Sequence, residues 1–160
     1  MIKNKKILIT GNTSGLGLAL TELLLAEGNK VYSLSKRLLK KRKNLKSQVC
    51  NLANLNSIDN ALNKLLKTKK IDYVFLNAGI LGKIDLMKNI KLKEIKQIFK
   101  INVFSNKKII DYLIKKKIRV KFVIGISSGA ALSPKYGWYL YCSSKSALKY
   151  MLEAYALEHP

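Results

Sequence analysis

Two residues in the last fifth of the sequence have the types and the spacing for acid–base chemistry. Tyr141 and Lys145 lie four positions apart, so a helix would place both side chains on one face. A phenol is ordinarily too weak an acid to exchange protons readily at neutral pH, but an adjacent ammonium stabilises the phenolate and lowers its pKa. The pair is therefore a candidate proton donor and acceptor. Tyrosine and lysine also fall at this spacing by chance, and Tyr136 and Tyr139 make this stretch rich in tyrosine.

A glycine-rich segment near the start of the sequence could bind phosphate. The segment Thr-Gly-Asn-Thr-Ser-Gly-Leu-Gly at 10–17 follows an apolar run and precedes a helical pattern. A dinucleotide pyrophosphate binds at such a place, on free backbone N–H groups and the helix dipole, and glycines let the backbone approach it. Similar turns connect many strands and helices without a ligand, but the β-α-β setting favours a nucleotide. The candidate cofactor residues here are Gly11, Thr13, Ser14, Gly15, Leu16 and Gly17.

Short apolar runs alternate with amphipathic helical patterns along the chain, and these elements must position both motifs. The patterns predict strands at 6–10, 30–34, 47–51, 71–76 and 120–126, and helices at 16–27, 58–67, 90–116 and 139–159. Strands separated by helices of this length form right-handed crossovers and a parallel sheet covered on both faces. The sequence therefore predicts one doubly wound α/β domain, Rossmann-like, over residues 1–160.

The charge of the chain is strongly positive. Thirty-one basic and nine acidic residues give a formal net charge of +22, which ordinarily suggests nucleic acid or an anionic membrane as a partner. Only Arg37, Arg42 and Arg119 are arginines and the other basic residues are lysines, whereas base and phosphate recognition favours the guanidinium fork. We therefore expect a solvated lysine surface, with neither a specific nucleic-acid partner nor a membrane partner. The sequence has no run of about 18 apolar residues and no signal-peptide pattern after Met1, so we expect a cytoplasmic location.

The order Thr-Gly-x-x-x-Gly-x-Gly resembles the short-chain dehydrogenase/reductase family, and further marks of that family follow it. Ser128 lies thirteen positions before Tyr141, which begins Tyr-Cys-Ser-Ser-Lys. Asn51 and Leu52 occupy a place where members usually have Asp-Val or Asp-Leu beside the adenine, so Asn51 is a mild departure. The remaining marks are Asn77, Ala78 and Gly79 after the fourth strand, and Asn102 in the long helix.

The resemblance implies a role for each candidate catalytic residue. Tyr141 would exchange the proton with the substrate oxygen, and Ser128 would hydrogen-bond that oxygen. Lys145 would also hold the nicotinamide ribose, and Asn102 would anchor a water that links Lys145 to solvent. Taken singly, the two polar side chains have plain alternatives: Ser128 could satisfy a strand end, and Asn102 could be a solvated helix position.

The residues at the end of the second predicted strand indicate which nicotinamide cofactor the chain would bind. An acidic residue there would accept hydrogen bonds from the ribose 2′-OH of NAD and repel a 2′-phosphate. The sequence has Ser35, Lys36 and Arg37 instead, and a hydroxyl with two cations suits a phosphate. We therefore predict NADP rather than NAD. The alternative is that Lys36 and Arg37 only begin a basic surface loop at 35–47.

The resemblance also implies elements beyond the last predicted helix. Members continue into a sixth strand, a substrate loop and a final strand, so we expect the fold to lack its last strands and to expose an edge. Members commonly associate through helices equivalent to 90–116 and 139–159, which predicts a homodimer or homotetramer.

Three functions remain open. The first is an NADP-dependent oxidoreductase that interconverts a small-molecule carbonyl and an alcohol. The second is a catalytically silent nucleotide-binding or interaction module, or a fragment of a longer reductase. The third is a nucleotide-sugar epimerase or dehydratase, against which the Asn-Ala-Gly motif and the Ser128 to Tyr141 spacing argue.

Overall fold

The computed structural model describes residues 2–159, which contain five strands and five α-helices. The strands are β1 (Lys6–Thr10), β2 (Lys30–Ser35), β3 (Leu45–Val49), β4 (Lys70–Leu76) and β5 (Arg119–Gly125). The helices are α1 (Gly15–Ala26), α2 (Ile58–Leu65), α3 (Leu92–Phe99), α4 (Ser105–Lys115) and α5 (Tyr139–Glu158). These elements follow one another in the order β1, α1, β2, β3, α2, β4, α3, α4, β5, α5.

The five strands form one parallel sheet in the order β3-β2-β1-β4-β5. The chain moves outward from β1 to β3 and then returns to the other side of β1 with β4. This reversal creates a crevice at the carboxyl ends of β1 and β4, where ligands bind in open α/β sheets. The predicted doubly wound α/β class is confirmed.

Apolar side chains form a separate core on each face of the sheet. One core joins Leu8, Leu34 and Val74 of the strands to buried residues of α2 and α4. The other core joins Ile7, Ile9 and Val31 to Leu24 of α1. Because β1 contributes alternate residues to both cores, its position is fixed from two sides, and so is the turn that follows it.

A π-helical turn, Lys100–Phe104, interrupts the helix that the sequence predicts at 90–116. Helix α3 leads into this turn and α4 continues from it. Such turns widen the helix by one residue and often lie at functional sites. Periodicity alone could not reveal it, since apolar residues continue through the interruption.

The edges of the sheet differ most from the predictions. Strand β3 begins and ends two residues before the predicted 47–51, so the basic segment between β2 and β3 is shorter than 35–47. Strand β5 lies at the opposite edge, where Phe122 is 47% exposed and Val123 is 41% exposed. An exposed edge was predicted there. Across residues 2–159, no helix is long and apolar enough to cross a bilayer.

Asn29, which directly precedes β2, connects three segments of the chain. Its side chain is fully buried, and Oδ1 accepts a hydrogen bond from the Lys5 N–H at 2.9 Å. Its Nδ2 donates to the Ile2 carbonyl at 2.7 Å and to the Leu24 carbonyl at 2.9 Å. One amide therefore holds the N-terminal segment and the end of α1 beside β2.

We expect Asn29→Ala to lower the free energy of unfolding by about 2–4 kcal/mol, because three hydrogen bonds are lost and buried backbone groups stay unpaired. Asn60→Ala, at an exposed position of α2, should change it by less than about 0.5 kcal/mol. Urea unfolding of both variants measures the difference. Equal stability of the two variants would contradict the role of Asn29.

Candidate active site

The glycine turn begins at the carboxyl end of β1 and ends in the first turn of α1. Gly11 has φ +69° and Gly15 has φ +52°, conformations in which a side chain is strained. The Gly11 N–H donates to the Leu34 carbonyl at 2.9 Å, which fastens the turn to β2. No side-chain hydrogen bond from Ser14 caps α1, and its first turn has no acidic residue. The start of α1 is therefore open to an anion.

The segment after β4 packs directly against this turn. A Cβ on Gly17 would lie 2.3 Å from Asn77 Nδ2 and from the Gly11 carbonyl oxygen, and a Cβ on Gly11 would lie 2.8 Å from Ala78 Cα. Asn77 Nδ2 donates to the carbonyls of Thr10 at 3.0 Å and Gly11 at 2.9 Å. Gly11 and Gly17 are thus required by close backbone packing.

Thr10 completes this junction and was not among the predicted site residues. Its Oγ1 accepts hydrogen bonds from the N–H groups of Asn77 at 3.1 Å and Ala78 at 3.0 Å. The signal in the sequence was a hydroxyl residue ending an apolar strand directly before the first glycine. The contact itself depends on the neighbouring position of β4, which local pattern does not give.

A cavity of about 600 Å³ lies above the turn and between the ends of β2 and β4. It brings together most of the predicted cofactor residues, together with three apolar residues that the sequence reasoning missed, Cys50, Ile80 and Ile101. The predicted residues that line it are Gly11, Thr13, Ser14, Leu16, Gly17, Ser35, Lys36, Arg37, Leu52, Asn77, Ala78 and Gly79.

The cavity is not lined by four of the predicted cofactor residues, namely Gly15, Asn51, Tyr141 and Lys145. Gly15 is exposed, and a Cβ placed on it would have no neighbour within 4 Å, so it faces open space at the start of α1. Asn51 is also exposed, and its Oδ1 accepts a hydrogen bond from the Ala53 N–H at 3.2 Å. At that end, the cavity wall comes from Cys50 and Leu52. Burial raises the pKa of the Cys50 thiol, which favours its neutral form.

Lys145 is a buried cation next to the same cavity. It lies on α5, is 4% exposed, and its Nζ donates to the Ile126 carbonyl at 2.6 Å. Its Nζ lies 5.6 Å from the centre of the Tyr141 ring and 3.6 Å from a Cβ placed on Gly79. Burial lowers the pKa of Lys145 because the charged form loses water. No carboxylate forms an ion pair with it in the described part of the chain.

Asn102 lies in the π-helical turn and is fully buried. Its Oδ1 accepts from the Ile80 N–H at 2.8 Å, and its Nδ2 donates to the Ile80 carbonyl and to Ser144 Oγ, both at 2.9 Å. The alternative that Asn102 is a solvated helix position is therefore wrong. Asn106 Nδ2 donates to the Asn102 carbonyl at 2.8 Å. Ser144 and Asn106 were both missed by the sequence reasoning.

Ser128 and Tyr141 lie on either side of the turn that leads from β5 to α5. Ser128 has an extended backbone, and its Oγ accepts from the Ala130 N–H at 3.2 Å. This bond agrees with the alternative that Ser128 satisfies a turn at the end of a strand. Tyr141 is half-buried, with the Trp138 ring edge-on at 5.9 Å. Among residues 2–159, no group of His, Cys, Asp and Glu could hold a metal ion.

Comparisons with known proteins connect this geometry to one family. Residues 5–160 match the family model described as short chain dehydrogenase. A 3-oxoacyl-(acyl-carrier-protein) reductase of Rickettsia prowazekii is 31% identical, and the match covers 98% of this chain and 67% of the relative. The benzil reductase ((S)-benzoin forming) of Bacillus subtilis is 29% identical, with 94% of this chain and 66% of the relative covered. The chain thus spans about two thirds of the length of these relatives.

A solved structure gives the same relationship in three dimensions. The crystal structure of a short chain dehydrogenase family protein from Francisella tularensis matches with a TM-score of 0.87 at 28% identity. The match covers 96% of this chain and 63% of that one. The structural match and the family match thus point to the same family and the same fold.

We expect Gly17→Ala to lower the free energy of unfolding by about 1–3 kcal/mol, because the new methyl must push apart α1 and Asn77. Gly129→Ala is a matched control, since a Cβ there meets no atom within 4 Å and the backbone does not require glycine. Chemical unfolding of the two variants measures the cost. A Gly17→Ala variant as stable as Gly129→Ala would show that the two segments are not closely packed.

Proposed function

We propose that this chain, which belongs to the short-chain dehydrogenase family, is an NADP-dependent oxidoreductase that interconverts a carbonyl and an alcohol. The observation that carries the proposal is the buried ammonium of Lys145 beside Gly79, at the edge of the cavity and one helical turn from Tyr141. A buried cation without a carboxylate partner is costly for folding. It is well explained if it serves the chemistry of a bound ligand.

The cavity fits a dinucleotide. Its volume of about 600 Å³ falls within the range of small-molecule sites. The uncapped start of α1 would bind the pyrophosphate, with Thr13 and Ser14 at its rim. Leu52, Cys50 and neighbouring apolar residues would contact the adenine. Gly79, next to Lys145, leaves room for the nicotinamide ribose at the other end.

The residues of the chain would manage the proton while the bound nicotinamide supplies or accepts a hydride. Tyr141 would donate its phenolic proton to the substrate oxygen during reduction, and recover it during oxidation. Ser128 would hydrogen-bond the same oxygen. Lys145 would bind the ribose and place a positive charge one helical turn from Tyr141.

Asn102 supports this arrangement through its bonds to the protein. Its side chain holds the Ile80 backbone and Ser144, which directly precedes Lys145 on α5. The first role we propose for it is to hold α5 against the π-helical turn. The family resemblance also implies a water anchored by Asn102. The Asn102 carbonyl accepts from Asn106 Nδ2 and keeps a second lone pair that would bind such a water.

Charge around the cavity supports NADP over NAD. Lys36 and Arg37 line it directly after β2, and no acidic residue does. The 2′-phosphate of NADP would gain charge-assisted hydrogen bonds from these two side chains. The 2′-OH of NAD would find no carboxylate there to accept its hydrogen bond.

A carbonyl compound is the proposed substrate class. The names of the Rickettsia and Bacillus relatives both describe reductases of carbonyl compounds.

Because the chain spans two thirds of the length of these relatives, a nucleotide-binding module without turnover is the second candidate function. NADPH oxidation by the 160-residue chain with benzil or a 3-oxoacyl thioester would support the reductase. Binding of NADPH without turnover of any carbonyl compound would support the module. Association into a dimer or tetramer remains a prediction.

We expect Tyr141→Phe to reduce kcat for the carbonyl compound by about 10²–10⁴-fold, because the proton donor is lost. Binding of NADPH should stay within about threefold of the wild type, since the ring keeps its packing against Trp138. Tyr139→Phe is the matched control, a hydroxyl deletion two positions earlier on the same helix. Loss of NADPH absorbance gives the rate and fluorescence titration gives the affinity. Full activity of Tyr141→Phe would refute the mechanism.

We expect Lys36→Ala combined with Arg37→Ala to weaken NADPH binding by about 10–100-fold and to leave NADH binding unchanged. The control removes Lys40 and Lys41 instead, which lie in the same segment but do not line the cavity. Calorimetric titration with both nucleotides measures the selectivity. If the two double variants weakened NADPH equally, general positive charge rather than a phosphate site would explain the affinity.

A further inference from the structure

We infer that Ser35 is a positioning residue that fixes the glycine turn to the sheet, and that it does not bind the 2′-phosphate. The inference rests on the proposed function, because it concerns how the same cavity holds its dinucleotide. It departs from the sequence prediction, in which the Ser35 hydroxyl joins Lys36 and Arg37 around the phosphate.

The Ser35 hydroxyl is already engaged within the protein. Its Oγ accepts a hydrogen bond from the Asn12 N–H at 3.1 Å and donates its proton to Asn12 Oδ1 at 2.5 Å. Both residues are buried, at 3% and 1% exposure. A serine hydroxyl has a single proton, so Ser35 has none left for a phosphate oxygen.

The two cations that follow Ser35 are exposed, whereas Ser35 is buried and bonded within the protein. Lys36 and Arg37 are exposed and line the cavity. Within residues 2–159, the ion pairs of the structure involve neither of them. Recognition of the 2′-phosphate therefore falls on these two side chains.

The backbone of Ser35 connects the turn to the rest of the sheet. Its carbonyl accepts from the Cys50 N–H at 2.8 Å, and the preceding Leu34 carbonyl accepts from the Gly11 N–H at 2.9 Å. Ser35 thus lies where the glycine turn, β2 and the end of β3 meet. Removing its hydroxyl loosens the turn that would bind the pyrophosphate, and NADP and NAD share that group.

The test compares Ser35→Ala with Ser33→Ala in the 160-residue chain. Ser33 is a buried serine on the same strand, but its hydroxyl bonds Ser47, away from the turn. Ser35→Ala should weaken NADPH and NADH by the same factor, about five- to tenfold. Ser33→Ala should leave both affinities unchanged. Calorimetric titration measures the four affinities.

Asn12→Ala is a second variant, in case Ser35→Ala does not fold: it removes the side-chain amide that accepts from Ser35 and keeps the Asn12 backbone N–H that donates to Ser35 Oγ. It should weaken NADH by at least as large a factor as NADPH. If Ser35→Ala weakened NADPH binding alone, Ser35 would be a phosphate ligand. That result, or unchanged affinity for both nucleotides, would overturn the inference about Ser35 and leave the proposed function intact. If the wild-type chain bound neither nucleotide, the proposed function would fail together with the inference.

Discussion

The close packing of the glycine turn against the end of β4 is the contact on which the site depends. Gly17 and Gly11 have no room for a side chain, and the side-chain amide of Asn77 donates to the carbonyls of Thr10 and Gly11. A parallel sheet brings these two segments together because its strands end at one edge. The backbone atoms of the turn are thereby fixed before any ligand arrives, so a phosphate meets N–H groups that need no reorganisation.

A second constraint is the buried charge of Lys145. The Ile126 carbonyl accepts a hydrogen bond from Lys145 Nζ, Gly79 leaves space beside it, and Asn102 holds the adjacent Ser144. These contacts come from β4, β5, the π-helical turn and α5, so the cation lies where four elements meet. Its lowered pKa reflects this burial, and a ligand that brings an anion or hydroxyls to Nζ would relieve part of the cost.

The sequence predicted the doubly wound parallel sheet, the glycine turn and most of the cavity lining, because these follow from apolar periodicity and from the turn motif. It did not predict how hydroxyl and amide groups are used. Thr10, Asn12 and Ser144 form hydrogen bonds with residues 23 to 68 positions away in the sequence, and such pairing depends on tertiary position. Asn51 was predicted beside the adenine, yet its side chain closes a local turn. The π-helical turn was invisible to periodicity because the apolar pattern continues through it.

A crystal structure of the chain with NADPH would show whether the cavity above the glycine turn holds the dinucleotide beside Lys145. We predict that the pyrophosphate lies at the start of α1, the 2′-phosphate between Lys36 and Arg37, and the nicotinamide ribose within hydrogen-bond distance of Lys145 Nζ. NADPH bound elsewhere, for example in the apolar cavity between α4, β5 and α5, or with its ribose away from Lys145, would contradict this prediction.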